Sequence, residues 1–459
     1  MVTNKIANCP KEIFRAYDIR GIVDENLTTD IAYTIGLALG TRAHQQQIEN
    51  FIVARDGRIS SPMLAQALIQ GLTDAGMHVI DIGAVPSGVL YFACYYLNIG
   101  AGVMVTGSHN PKNYNGFKIL LDFMALTEQA IQYIYQMTVA QTFHYGKGQV
   151  ISQNVTQAYI GTIVERVKPK RKLKIVIDCG NGIAGEIAPT LYEQLGCDVT
   201  ALYCEVDGNF PNHHPNPSVV DNLQDLIEAV KKQNADIGLA FDGDADRLGV
   251  VTATGEVIWP DRQMILFSQD VLSRNPGAKI LFDVKCTRHL ADAIQNAGGN
   301  GQMVRTGHSF VKTALKTTGA LLAGEMSGHI FFKENWYGFD DGLYCGARLI
   351  ELLSRQEDLA KVWQNLPNSI NTPEINITVP EQEKFLIMEK LLNLADFPDA
   401  KIITIDGLRV EFAKGWGLIR ASNTTPCLVM RFEAIDETSL QEIQDKFTQL
   451  LDQAMALGA

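Results

Sequence analysis

Three carboxylates at alternate positions, Asp242, Asp244 and Asp246, follow the strand-like run Asp236 to Phe241 and are separated only by Gly243 and Ala245. Alternate side chains share one side of an extended chain, so the spacing predicts hard oxygen ligands converging on a divalent cation. A solvated acidic turn is the competing reading, but close carboxylates repel one another without a cation. An EF-hand would need Gly at its sixth loop position and Glu at its twelfth, where this chain has Arg247 and Ala253.

A second segment, Val105-Thr106-Gly107-Ser108-His109-Asn110-Pro111, ends an apolar strand in a turn rich in glycine and proline. It predicts an exposed Ser108, clear of the core, that can carry a covalent group. Adjacent side chains point apart, so His109 is not expected to act as its base, and the G-x-S-x-G form of a hydrolase elbow is missing. A third segment, Arg420-Ala421-Ser422-Asn423-Thr424-Thr425-Pro426, offers a guanidinium fork, hydroxyls and an amide, the donors a phosphate dianion needs. Taken alone it is equally a hydrophilic turn between strands. Gly324-Glu325-Met326-Ser327-Gly328-His329 sets an acceptor, a hydroxyl and an imidazole between glycines, a pairing suited to sugar hydroxyls or to a plain turn with a surface His. Gly180-Asn181-Gly182-Ile183-Ala184-Gly185 matches the dinucleotide fingerprint G-x-G-x-x-G, yet no companion residue for hydride chemistry accompanies it.

The elements that must position these segments follow one local grammar. A strand, a helix closed by glycine and a second strand are predicted at Phe51–Asp56, Pro62–Ala75 and His78–Ile82. The order recurs at Lys174–Asp178, up to Leu195, and Asp198–Tyr203, and again at Lys279–Asp283, up to Ala297, and Gln302–Arg305. This is the punctuation of βαβ units, because glycine accepts the left-handed cap that turns the chain back. Beyond Pro367 the pattern changes to a strand at Asn376–Val379, a helix at Glu381–Leu394, a hairpin at Lys401–Phe412, a strand at Leu428–Glu433 and a helix at Glu437–Ala456. The fold class is α/β: three related α/β domains with mixed sheets (1–152, 153–254, 255–367) and a C-terminal α+β domain (368–459).

A chain of 459 residues is too long for one core, and a 46% hydrophobic, 20% charged composition describes an ordinary folded protein. The net charge of −12 argues against nucleic acid or an anionic membrane, which require a basic face. A small anion would need a local basic cleft. The cysteines form no C-x-x-C pair, which removes zinc-ribbon and dithiol readings and predicts reduced, mostly buried thiols. Met1 to Gly21 carries charges and no apolar signal region, so a cytoplasmic protein is expected.

Together the Thr-Gly-Ser-His-Asn-Pro, Asp-Gly-Asp-Ala-Asp-Arg, Gly-Glu-Met-Ser-Gly-His and Arg-Ala-Ser-Asn-Thr-Thr segments resemble, in order and spacing over essentially the whole chain, the α-D-phosphohexomutase superfamily. Within it the resemblance is closest to bacterial phosphomannomutase/phosphoglucomutase enzymes, whose four domains surround a central cleft. The resemblance implies that Ser108 is a phosphoserine and that Mg²⁺ is held by Asp242, Asp244, Asp246 and an oxygen of the seryl phosphate. It implies that Arg247 orients the phosphoserine or sugar, that Glu325 and Ser327 bind sugar O3 and O4, and that Arg420, Ser422, Asn423 and Thr424, with Thr425, hold the phosphate that is not reacting. Tyr17, Arg20, Lys118, Lys285, His308 and His329 match cleft positions of the family, with Lys118 and His329 the candidates for proton transfer and Arg20 aiding the charge.

The implied reaction interconverts the 1- and 6-phosphates of mannose and glucose through a hexose 1,6-bisphosphate that also serves as activator, in a monomer with a phosphosugar as its only partner. Glucosamine mutases of the superfamily usually carry Gln where this chain has Met326. A glucosamine mutase, a metal-dependent sugar phosphatase and a non-catalytic phosphosugar sensor stay open as alternatives. Gly107 departs from the commoner Ala and is expected to loosen the serine loop.

Overall fold

The computed structural model describes residues 5–380, 382–423 and 425–456, and in them the chain builds four β-sheets. The runs Phe51-Ile52-Val53-Ala54 and Ile175-Val176-Ile177 are buried throughout, as parallel strands covered on both faces require. In the first sheet Gly102–Val105, Asn50–Arg55 and His78–Ala84 run parallel, and Tyr114–Leu121 returns antiparallel beside Gly102–Val105. The second sheet repeats this with Ile237–Phe241, Lys174–Asp178 and Asp198–Leu202 parallel and Leu248–Thr252 returning. The third repeats it with Leu322–Gly324, Lys279–Asp283 and Asn300–Val304, and Ile330–Phe332 returning. One topology is thus used three times, as the glycine punctuation predicted.

That repetition positions the chemistry. Ser108 lies between Val105 and Tyr114, the aspartates between Phe241 and Leu248, and Glu325 to His329 between Gly324 and Ile330. Each segment is therefore the same connection, from the last parallel strand to its antiparallel return, at the carboxyl edge where open α/β sheets bind ligands. The fourth sheet is antiparallel, and Ser422 to Pro426 again joins two neighbouring strands, Gly415–Ala421 and Cys427–Ala434. Gly415–Ala421 is central to that sheet and was not anticipated; Arg420 and Ala421 belong to the strand, not to a loop. The second sheet also takes in Val257–Ile258, past residue 254.

One apolar core runs through the first three sheets, joining Leu90, Ile177, Leu239, Ile280 and Tyr344. The C-terminal unit has a core of its own under Lys384–Leu394 and Glu437–Ala456, built on Leu391, Val410, Phe432 and Phe447. It meets the third unit through Arg409, which donates to the carbonyls of Val284 and Cys286 and stacks on Trp416. All eight cysteines are free thiols, and Cys204 alone among them is not buried. Among the described residues no helix is long and apolar enough to cross a membrane.

Candidate active site

Ser108 is not exposed. It retains only 2% of its accessible surface, because the aspartate loop of the second unit closes over it: Ser108 Oγ lies 3.2 Å from Asp242 Oδ2. Its backbone is left-handed (φ 50°), a conformation that costs a non-glycine residue free energy and needs outside support. Arg58 supplies it. The buried guanidinium donates to the carbonyls of Ser108, Asn110, Pro111 and Tyr114, while Asp56 accepts from Arg58 Nε, Thr106 Oγ1 and the Gly107 amide. Gly107 therefore tightens the loop instead of loosening it: a Cβ there would stand 2.5 Å from Arg58 Cζ and 2.7 Å from the Tyr114 carbonyl.

His109 also departs from expectation. The left-handed turn brings its Nδ1 to 3.1 Å from Ser108 Oγ, and burial, with Arg247 and Arg20 nearby, holds the ring well below the ordinary histidine range. It is an imidazole within hydrogen-bond reach of the serine, which the side-chain directions of an extended dipeptide did not suggest.

The three aspartates converge, though through a turn and not an extended chain: the Ala245 amide donates to the Asp242 carbonyl at 3.0 Å, with Ala245 at φ 59°. Their ligand oxygens come within 4.8 Å of one another, and all three residues are fully buried. Lys118 Nζ bridges Asp244 Oδ2 (2.6 Å) and Asp246 Oδ2 (2.5 Å). Burial alone would lower the Lys118 ammonium, but the two carboxylates raise it well above the ordinary lysine range. Burial likewise works to raise Asp244, where Lys118 prevails and holds it below the usual carboxylate range. Asp242 is raised well above that range by burial and by its neighbours Asp246 and Asp244.

Asp244 Oδ1 and Asp246 Oδ1 are buried without a hydrogen-bond partner among the described residues. Buried anionic oxygens without partners are costly, and a hard divalent cation would satisfy them, so the donor set fits Mg²⁺. Ser87 completes the frame, its hydroxyl donating to Asp244 Oδ2 at 2.6 Å.

Gly243 lies against Ser108 so closely that a Cβ would stand 2.4 Å from the Ser108 carbonyl oxygen, which Arg58 already holds at 2.7 Å. Gly243→Ala is expected to cost about 1–3 kcal/mol of stability through this overpacking and to displace the serine loop. Unfolding in urea and intact mass after incubation with a hexose bisphosphate check this; an unchanged midpoint with full phosphorylation would contradict it.

A cleft of about 780 Å³ opens in front of Ser108. It is lined by Arg20, Lys118, Arg247, Lys285 and Arg420, the local basic surface that an acidic protein needs for a small anion. Tyr17, His308, Glu325, Ser327, His329, Ser422, Asn423 and Thr425 line it too, whereas the aspartates sit behind the serine. Thr424 lies outside the described residues.

His329 is buried, not a surface His. Arg247 Nε donates to its Nε2 at 3.1 Å, which places the ring proton on Nδ1, 3.2 Å from Asp340 Oδ2 and off-line for a full hydrogen bond. Glu374, Trp259, Asn216 and Arg431 also line the cleft and carry no sequence signal of their own. Glu374 Oε1 accepts from Lys285 Nζ at 2.7 Å, as Asp406 does from Arg420 Nε at 2.9 Å.

Glu325 takes the Gly307 amide on Oε1 and leaves Oε2 without a hydrogen-bond partner among the described residues, open to a ligand hydroxyl. Burial, with Asp283 nearby, raises its carboxyl from 4.5 to about 8. Between those values the unfolded chain has lost a proton that the folded chain keeps, so this group makes stability fall as pH rises across that window. Glu325→Gln is expected to remove that fall. Denaturant unfolding at several pH values checks it, and a wild type-to-variant difference that stays flat from pH 4.5 to 8 would contradict it.

The Gly180-Asn181-Gly182 turn is structural. Gly180 and Asn181 are left-handed, the segment continues into a short 3₁₀ turn at Ile183–Glu186 and not directly into an α-helix, and the Ile183 amide donates to the Gly243 carbonyl, bracing the aspartate loop.

Comparison with known proteins decides the lineage. Profiles described as phosphoglucomutase/phosphomannomutase, alpha/beta/alpha domains I, II and III, match residues 11–144, 157–255 and 259–370, and that family's C-terminal domain matches 374–450. The chain belongs to the phosphoglucomutase/phosphomannomutase family. A phosphomannomutase/phosphoglucomutase of Pseudomonas putida is 54% identical over 447 residues, 97% of this chain and 96% of that one. A phosphoglucomutase of Neisseria gonorrhoeae is 53% identical over 451 residues, covering 97% and 98%. In three dimensions a family protein of Burkholderia thailandensis superposes with a TM-score of 0.93 at 48% identity, covering 97% of this chain and 98% of that one. The phosphohexomutase resemblance read from the four loops is thus the family's own.

Proposed function

We propose that this protein is a phosphohexomutase that interconverts hexose 1-phosphate and hexose 6-phosphate, of mannose and of glucose, through a phosphoserine at Ser108 and a hexose 1,6-bisphosphate. The observation that carries the reading is the meeting of four loops, one from each sheet, at a single basic cleft whose floor holds Ser108 Oγ 3.2 Å from Asp242. Four units, 1–152, 153–254, 255–367 and 368–459, with the second reaching to Ile258, would each supply one loop.

In the forward half-reaction the free sugar hydroxyl attacks the phosphorus on Ser108 Oγ: the sugar O–P bond forms, the serine O–P bond breaks, and the hydroxyl proton goes to a base. Mg²⁺, held by Asp242, Asp244, Asp246 and an oxygen of the seryl phosphate, would supply charge neutralisation at the transferring group. His329, whose unprotonated Nε2 accepts from Arg247 Nε, is suited to take the proton once a substrate draws Arg247 away. Lys118, a proton-transfer candidate by family resemblance, is fixed as a cation by Asp244 and Asp246 and is better suited to stabilise charge than to give up a proton, and Arg20 and Arg247 add charge beside it.

Arg420, Ser422, Asn423, Thr424 and Thr425, with His308, Lys285 and Tyr17 in the same cleft, would hold the distal phosphate and sugar, displacing Asp406 and Glu374 as the partners of Arg420 and Lys285. The bisphosphate then reverses end for end and returns its other phosphoryl group to Ser108. Glu325 and Ser327 would read O3 and O4 and so be blind to C2, where mannose and glucose differ. The protein is taken to act as a cytoplasmic monomer.

Turnover on the 1-phosphates of mannose, glucose and glucosamine, with a hexose 1,6-bisphosphate activator, tests the reading. Comparable conversion of mannose and glucose 1-phosphates without release of inorganic phosphate is expected. A strong preference for glucosamine would overturn the specificity, and stoichiometric phosphate release would make the protein a phosphatase.

A further inference from the structure

Behind the cleft, between the first and third units, lies a second cavity of about 220 Å³ that the sugar chemistry does not use. Its walls are aromatic. Tyr95 packs on Phe123 (5.1 Å between centroids) and on Tyr337 (4.9 Å), and Tyr91 packs on Phe339 (5.4 Å). Among the described residues that line it the charged ones are all positive, Lys312, Lys316 and Lys333. Lys316 and Lys333 are exposed at the rim. Lys312 sits deeper, its ammonium 4.3 Å from the Tyr91 ring centroid and donating at 2.8 Å to Asp340 Oδ1, whose other oxygen is 3.2 Å from His329 Nδ1.

One wall is held against its backbone preference. Phe123 and Asp122 form the two-residue turn between Leu121 and Met124, both with positive φ (58° and 52°). Such turns favour Asn and Gly, and a bulky side chain there is strained. The strained backbone carries the Phe123 ring onto Tyr95 at the cavity.

We propose that this cavity binds a small planar aromatic carboxylate, its ring against the wall formed by Tyr95, Tyr337 and Phe123 and its carboxylate toward Lys316 and Lys333. Aromatic walls take the π-face by offset stacking and the cationic rim takes the charge, whereas a phosphosugar, with no aromatic face, belongs to the polar cleft. Because Lys312 is shared between this cavity and Asp340, an occupant that attracts its ammonium alters the support of His329 and therefore turnover.

Isothermal titration of the full chain with 1-naphthoate tests the site. One saturable site per chain is expected, weakened about tenfold or more in the Lys316→Glu/Lys333→Glu variant, since reversing two rim charges opposes the anion. Neutral 1-naphthylmethanol should bind more weakly than the naphthoate. Phe123→Gly, which suits the turn and removes the ring, should weaken binding too. No saturable binding, binding equal in both variants and wild type, or displacement of naphthoate by glucose 1-phosphate would overturn the proposal. The kinetic arm alone rests on the mutase reading: naphthoate should change wild-type turnover and leave that of the double variant unchanged, and identical wild-type turnover with and without it would overturn the coupling.

Discussion

Ser108→Ala is expected to abolish phosphate incorporation and to lower turnover by about 10⁴-fold or more, the scale on which covalent catalysts lose rate when the nucleophile is removed. The reason is positional. Ser108 Oγ is the hydroxyl in contact with both Asp242 and His109 at the floor of the cleft, and its loop is fixed by the contacts of Arg58 to four carbonyls. Removing the hydroxyl leaves that loop in place, so the loss should appear in kcat with little change in the unfolding midpoint. Intact mass after incubation with glucose 1,6-bisphosphate should show one added phosphate on the wild type and none on the variant. A variant that keeps near-normal turnover would sink the covalent mechanism.

Chelation of divalent cations is expected to lower turnover by about 10³-fold, and Asp242→Asn to do the same irreversibly. A metal acting as a Lewis acid on a phosphoryl oxygen contributes several kcal/mol, and each 1.4 kcal/mol is tenfold in rate. The reading does not rest on activity alone. Mg²⁺ at about 100 times its dissociation constant should stabilise the wild type by about 2.7 kcal/mol, because it discharges the repulsion among three fully buried carboxylates. That gain should largely survive in Ser108→Ala, which keeps all three, and be much reduced in Asp242→Asn. Equal stabilisation of wild type and Asp242→Asn would show that the cation binds elsewhere.

Much of the architecture was legible in the chain. Fully apolar β-branched runs such as Ile175-Val176-Ile177 announce parallel strands, and a glycine after a helix announces the return, so the three α/β repeats could be read from local physics. Gly415–Ala421 escaped because Gly415 and Gly417 look like breakers. The fold needs them small: a Cβ on Gly417 would stand 2.5 Å from the Phe447 ring, an approach made by a helix thirty residues later in the chain.

The sequence by itself determined which residue types could do the chemistry and on which connections they sit, because strand, turn and metal-ligand preferences are local. Only the tertiary structure decided their states. Whether Ser108 is exposed or enclosed depends on a loop more than a hundred residues away, and the buried Arg58 that supports its left-handed backbone looks in sequence like any surface arginine. The dismissal of His109 assumed an extended dipeptide, whereas a turn sets the side-chain directions. Lys118 becomes a fixed cation only when Asp244 and Asp246 close on it. Charge, burial and proton affinity are properties of packed neighbours, and those neighbours are brought together by the sheets, not by the order of residues.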